Sequence, residues 1–162
     1  MTTAKKTAVV TGASGGIGYE LCHLLAKDGC NLILVARSEQ RLSDVAREME
    51  AKYGVQAFTL TQDLSMAMAA DQLTKRIEQL ALPVHILVNN AGFGSYGPFR
   101  DSNSGTNLDM ILTNVVALTR LTQLLLPQLT ANRGKIMNVA SLAAFQPVPL
   151  FAVYAATKAY VL

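Results

Sequence analysis

The chain has little of what a disulfide scaffold, a metal module or a nucleic-acid binder requires. It holds only two cysteines, Cys22 and Cys30. Both fall on or just after one predicted helix and neither belongs to a Cys-x-x-Cys unit, which excludes a disulfide framework. They read as buried or indifferent thiols of a reducing compartment. Histidine is equally scarce: His23 and His85 stand alone without metal-ligand spacing and receive no role. Charge is sparse at 15% of residues, with a net value of +3, and Lys5–Lys6 is the only adjacent basic pair. That scatter argues against nucleic acid or an anionic membrane as partner. No uninterrupted apolar run approaches the roughly 20 residues of a membrane span. Lys5–Lys6 leads into a short strand and glycines, not into the apolar stretch of a signal peptide. A cytoplasmic protein is expected. There is no solenoid repeat, low-complexity tract or linker, so residues 1–162 are expected to form one domain with its own core.

What is present is apolar: 51% of the residues are hydrophobic. Short β-branched or leucine-rich runs alternate with helical periodicity, the pattern of βαβ units whose sheet is covered on both faces. Strands are predicted at residues 7–11, 32–36, 55–60, 84–89 and 135–140. Helices are predicted from the spacing of Ile17, Leu21, Leu24 and Leu25, closed by Gly29; of Leu42, Val45, Ala46 and Met49, with Ser38 as N-cap; and of Leu73, Ile77 and Leu80, ended by Pro83. A long one carries Leu108, Ile111, Leu112, Val115 and Leu118 and runs towards Pro127, and a last one starts near Ala152. Right-handed crossovers then give an α/β fold, a doubly wound, Rossmann-like parallel sheet of order 3-2-1-4-5 with a ligand crevice where the order reverses.

Three segments carry chemistry. Residues 11–18 read TGASGGIG between a strand and a helix, where a dinucleotide's pyrophosphate needs close backbone approach and the positive end of a helix. The spacing of Gly12, Gly16 and Gly18 is GxxxGxG, and no Gly-Lys-Ser/Thr follows, so this is not a P-loop. Residues 89–92 read NNAG at the carboxyl end of strand four, where small residues keep the crevice floor open. Tyr154 and Lys158 lie one helical turn apart on one face, and a nearby ammonium favours phenolate over phenol, which suits an acid/base tyrosine. Ser141, at the end of strand five, is placed to hydrogen-bond the same substrate oxygen.

Taken together, TGASGGIG, NNAG, the serine and YxxxK resemble the short-chain dehydrogenase/reductase family in order and spacing, from the first strand to Leu162. The 25 or so residues around YAATK look closest to its long-chain 3-oxoacyl and hydroxysteroid reductases. The resemblance implies that Tyr154 is the catalytic acid/base, that Lys158 assists it and holds the nicotinamide ribose, that Ser141 orients substrate and that Asn114 supports a proton relay. It implies cofactor contacts from Gly12, Ser14, Gly15, Gly16, Ile17, Gly18, Leu64, Asn90, Ala91 and Gly92, and from Asp63 at the adenine. Strand two ends in Ala36-Arg37-Ser38 with no acid, and Arg37 suits the 2′-phosphate of NADP. A basic residue common in the glycine loop of NADP-preferring relatives is here Gly15.

The expected function is hydride transfer between NADP(H) and a carbonyl or alcohol carbon. Residues 143–153 and 93–99 are mostly apolar and favour an apolar ketone or acyl substrate. The likeness also implies a homo-oligomer and further strands beyond Leu162. Without those strands, strand five is expected to expose an apolar edge, the last helix to hold its Tyr–Lys pair loosely, and residues 1–162 to be aggregation-prone or oligomeric and catalytically weak or dead. The alternative function is a truncated dinucleotide-binding module without turnover.

Overall fold

The computed structural model describes residues 5–162 of the chain. Five strands, β1 (Thr7–Thr11), β2 (Asn31–Ala36), β3 (Ala57–Thr61), β4 (Val84–Asn89) and β5 (Lys135–Asn138), form one parallel sheet of order β3-β2-β1-β4-β5. In register, Val9 faces Ile33 on one side and Leu87 on the other. The predicted fold and strand order are those observed.

Helices α1 (Gly16–Lys27) and α2 (Glu39–Tyr53) cover one face, and α3 (Ala69–Gln79) covers the other with α5 (Leu118–Ala131), which α4 (Ser104–Ile111) precedes. Alternation along each strand feeds both layers. Ala8, Val10, Leu32 and Leu34 pack with Cys22, Leu42 and Met49, whereas Val9, Ile33 and Leu87 pack with Leu73, Ile77, Leu121 and Leu125. The last helix, α6, spans Ala152–Val161.

Several boundaries and faces differ from the periodicity reading. β5 stops at Asn138, two residues short of the prediction: Val139 N–H still donates to the Asn89 carbonyl of β4 at 2.9 Å, but the Val139 carbonyl accepts from Lys158 Nζ at 2.7 Å. α1 buries Gly18, Cys22 and Ala26, while Ile17 and Leu24 are 62% and 60% exposed. Gly18 must face the sheet beside Gly12, and the small residues that follow at i+4 and i+8 share its side. Between α4 and α5 lies a π-helical stretch, Leu112–Ala117. Its wider turn shifts the buried stripe to Met110, Asn114, Ala117, Leu121, Leu125 and Leu129, leaving Leu108 and Ile111 exposed.

α5 runs through Pro127 to Ala131. The carbonyl that Pro127 leaves without a donor is that of Gln123, a residue on the exposed face of the helix. α3 ends at Gln79, before Pro83, because Ala81 has already turned to φ +52°. The joined helix Ser104–Ala131, at 28 residues, is long and apolar enough to cross a membrane by length and composition, which single apolar runs did not reveal. Its Leu121, Leu125 and Leu129 are buried in the core. At the sheet's edge β5 pairs only with β4, and all four of its residues are exposed.

Candidate active site

Beyond the carboxyl ends of β1 to β4 opens a cleft of about 520 Å³. Of the residues predicted to hold a cofactor, Gly12, Ser14, Arg37, Asp63, Leu64, Ala91 and Gly92 line it. Gly15, Gly16, Ile17 and Gly18 instead form the start of α1, where no side chain caps the helix. Its first N–H groups and positive end are therefore open to an anion.

Glycine is required at two points of this loop. Gly12 has φ +69°, and a Cβ there would fall 2.7 Å from Asn90 Nδ2. A Cβ on Gly18 would run into the Gly12 carbonyl. Asn90 acts as a brace: its Nδ2 donates to the carbonyls of Thr11 at 2.9 Å and Gly12 at 3.3 Å. Thr11 completes the joint, its Oγ1 accepting the N–H groups of Asn90 and Ala91 at 3.0 Å each and donating to the Val88 carbonyl at 3.1 Å. The glycine loop and NNAG are thus one bonded unit. Thr11's part in it was not read from the sequence.

Asp63 closes the β3 side of the cleft. The N–H of Ser65 holds its carboxyl below the usual carboxylate range, with smaller help from the Ser65 hydroxyl and the charge of Arg37 and against a cost of burial.

At the other end of the crevice Tyr154, Lys158 and Asn114 come together. Asn114 is buried in the π-helical stretch, a form common at functional sites. Its Oδ1 accepts from Phe93 N–H at 3.1 Å, and its Nδ2 donates to the Phe93 carbonyl at 2.9 Å and to Thr157 Oγ1 at 3.0 Å. Thr157 Oγ1 donates to the Tyr154 carbonyl at 2.8 Å. Lys158 is 6% exposed, its Nζ lies 6.0 Å from the Tyr154 ring centroid, and burial lowers its pKa. A Cβ on Gly92 would meet Asn114 Oδ1 at 2.9 Å and Lys158 Nζ at 3.3 Å; one on Gly94 would meet the Tyr154 ring at 2.8 Å. Gly94 gave no sequence signal, since only its approach to Tyr154 reveals it.

Ser141 precedes a 3-10 turn, Leu142–Ala144, that packs against α6, and its Oγ accepts from Ala143 N–H at 3.2 Å, leaving the hydroxyl proton free. α6 is held more firmly than its length suggested. Besides the Asn114–Thr157 and Lys158–Val139 bonds, the hydroxyls of Thr119 and Tyr160 meet at 2.8 Å. His23 and His85 both serve structure: His23 lies between Tyr53 and Glu48 at 2.9 and 3.3 Å, and His85 Nδ1 accepts from Thr7 N–H. Burial pushes the Cys22 thiol up to about 12, consistent with an inert core thiol.

The sequence model for short chain dehydrogenases matches residues 6–162. The chain belongs to this family. Among curated members it is 38% identical over 158 residues to a very-long-chain 3-oxoacyl-CoA reductase of Phaeosphaeria nodorum, covering 94% of this chain and 46% of the relative. It is 35% identical over 157 residues to the 17-beta-hydroxysteroid dehydrogenase type 3 of Mus musculus, covering 95% and 51%. This short-chain dehydrogenase therefore spans about half the length of the curated relatives it matches. Among solved structures, an alcohol dehydrogenase of Thermococcus sibiricus complexed with 5-hydroxy-NADP superposes with a TM-score of 0.91 at 30% identity, over 97% of this chain and 67% of that one.

Proposed function

We propose that this short-chain dehydrogenase transfers hydride between NADP(H) and a carbonyl or alcohol carbon of an apolar substrate. The observation that carries the reading is the convergence of Lys158 and Asn114 at Gly92 and of Tyr154 at Gly94, at the end of a cleft built as one unit with the glycine loop. A dinucleotide phosphate fits the chain's own residues. α1 presents an uncapped N-terminus beside Ser14, and Arg37 stands at the β2 tip with no carboxylate within ion-pair distance among the described residues. When bound, the nicotinamide ring supplies the hydride chemistry.

The protein's part is positioning and proton transfer. In the reductive direction Ser141 donates its free hydroxyl proton in a hydrogen bond to the substrate oxygen, and Tyr154 gives that oxygen its own proton. Lys158 sets a positive charge beside the phenolate that remains. Asn114 holds Phe93 and Thr157, and through them the spacing between the crevice floor and α6.

An apolar substrate is supported by the surroundings of Tyr154. Its ring lies 5.9 Å from that of Phe151, which lies 5.2 Å from Tyr96. Leu142 and Phe145, shortly before α6, and Phe99, in the same loop as Tyr96, stand exposed. The names of the two relatives, a 3-oxoacyl-CoA reductase and a hydroxysteroid dehydrogenase, point the same way.

The test is NADPH oxidation by the full protein with a long-chain 3-oxoacyl thioester, a steroid ketone and a sugar ketone. The two apolar substrates should turn over faster. Tyr154→Phe should lower the rate by about 10²–10⁴-fold while NADPH binding is retained. A near-normal rate in that variant would overturn the assignment. NADPH binding without turnover of any ketone would select the dinucleotide-binding module instead.

A further inference from the structure

We propose that Leu150 is a positioning residue for Tyr154: its left-handed backbone presents its carbonyl to Gly97 N–H and so clasps the loop of residues 93–97 to the entrance of α6. This rests on the acid/base role of Tyr154 proposed above. Leu150 has φ +68°, a conformation that crowds the Cβ of an L-residue against its own chain. Ala81 and Arg133 adopt it just past α3 and α5, where it is a common way to stop a helix. Leu150 stands before a helix instead, and its side chain is exposed, so core burial does not impose the strain. The bond it makes does reach another segment: its carbonyl accepts from Gly97 N–H at 2.9 Å, and Gly97 is itself at φ +147°. Strained backbone of this kind persists where the surroundings hold it, and gathers at functional sites.

What the clasp holds is the first turn of α6. Tyr154 is its third residue, and no side chain caps the helix, so this turn is the one prone to fray. One turn further on, Thr157 and Lys158 are anchored to Asn114 and to the Val139 carbonyl. The Tyr154 end instead leans on the loop of residues 93–97. Gly94 lies against its ring, and Tyr96 lies 5.2 Å from Phe151, whose ring is 5.9 Å from that of Tyr154. Asn114 fixes one end of that loop by both backbone groups of Phe93. The Gly97–Leu150 bond fixes the other. Opening it frees Gly94 and Tyr96 to move off, and the phenol to drift from Lys158 Nζ, now 6.0 Å from the ring centroid.

The experiment follows NADPH oxidation by the full protein with the fastest of the three ketones above, beside NADPH binding. Leu150→Val keeps an apolar side chain, but its β-branch disfavours positive φ. In Gly97→Ala the new Cβ would meet nothing within 4 Å, so that change acts through the backbone alone. Each should lower kcat on the order of 10²-fold for a shift near 1 Å and leave NADPH affinity unchanged. Each should also move the alkaline limb of the kcat profile to higher pH, since a phenol farther from an ammonium holds its proton longer. The double variant should be little worse than either single one, because both open the same bond. Leu150→Gly takes the left-handed form freely and should keep the wild-type kcat and limb. A loss in Leu150→Gly with none in Leu150→Val would assign the effect to the side chain and overturn the proposal. Additive losses, a loss of kcat without the pH shift, or an unchanged kcat in Leu150→Val and Gly97→Ala would also overturn it. If Tyr154→Phe loses its rate while those two keep theirs, the clasp alone fails. A near-normal rate in Tyr154→Phe, or turnover of no ketone, overturns the acid/base reading and the clasp with it.

Discussion

Asn114 and Thr157 share a 3.0 Å hydrogen bond that crosses from the π-helical stretch to α6. Asn114 spends its other amide proton on the Phe93 carbonyl, so Thr157→Val leaves a buried donor unpaired. It should destabilise the fold by about 1–3 kcal/mol, read from urea unfolding, and lower kcat by misplacing Tyr154. Thr157→Ser keeps the hydroxyl and should restore much of both. Equal behaviour of the two variants would show that the bond has no such role.

Gly94 lies so close to the Tyr154 ring that a Cβ would stand 2.8 Å from Cδ2 and 2.9 Å from Cγ. Gly94→Ala should therefore push the phenol aside and lower kcat by about 10²-fold for a shift near 1 Å. NADPH affinity should hold, because Arg37 and the glycine loop line the cleft away from Gly94. Steady-state kinetics beside a binding titration separates the two effects, and an unchanged kcat would refute the contact's importance.

Burial lowers the pKa of Lys158 in the folded protein below the ordinary 10.5, while the unfolded chain keeps the ordinary value. The unfolded state thus binds the extra proton over the alkaline window between the lowered value and 10.5, and stability must rise with pH across it. Below that window both states are protonated and the burial cost is present in full. Lys158→Met should abolish this contribution to the rise, measured as the urea midpoint against pH. A variant with the wild-type slope would show that Lys158 is solvated.

Much of this was legible in the sequence because strands buried on both faces read as unbroken apolar runs. β1 and β4 were bounded correctly by TAVVT and VHILVN. The glycine loop, NNAG and YxxxK were legible because backbone contact and helical spacing restrict residue choice. The π-helical stretch was not, since LTNVVA has ordinary helical propensity and only the packing of Asn114 against Phe93 and Thr157 defines the wider turn. Pro127 misled for a related reason: local propensity opposes a helix there, and the buried face of Leu121, Leu125 and Leu129 overrides it.

The sheet order has a consequence for how the protein is made. β1 is made before the other four strands and is the middle one of the sheet, so β2 fills one of its edges early while β4 fills the other much later. Val88 follows its partner Val10 by about 80 residues, which a ribosome adds in roughly 4–16 s at 5–20 residues per second. During that interval the apolar backbone edge of Ala8, Val9 and Val10 stands open beside the exit tunnel. A chaperone that shields extended apolar segments would be needed longest there, and synthesis pauses between α2 and β4 would lengthen the exposure.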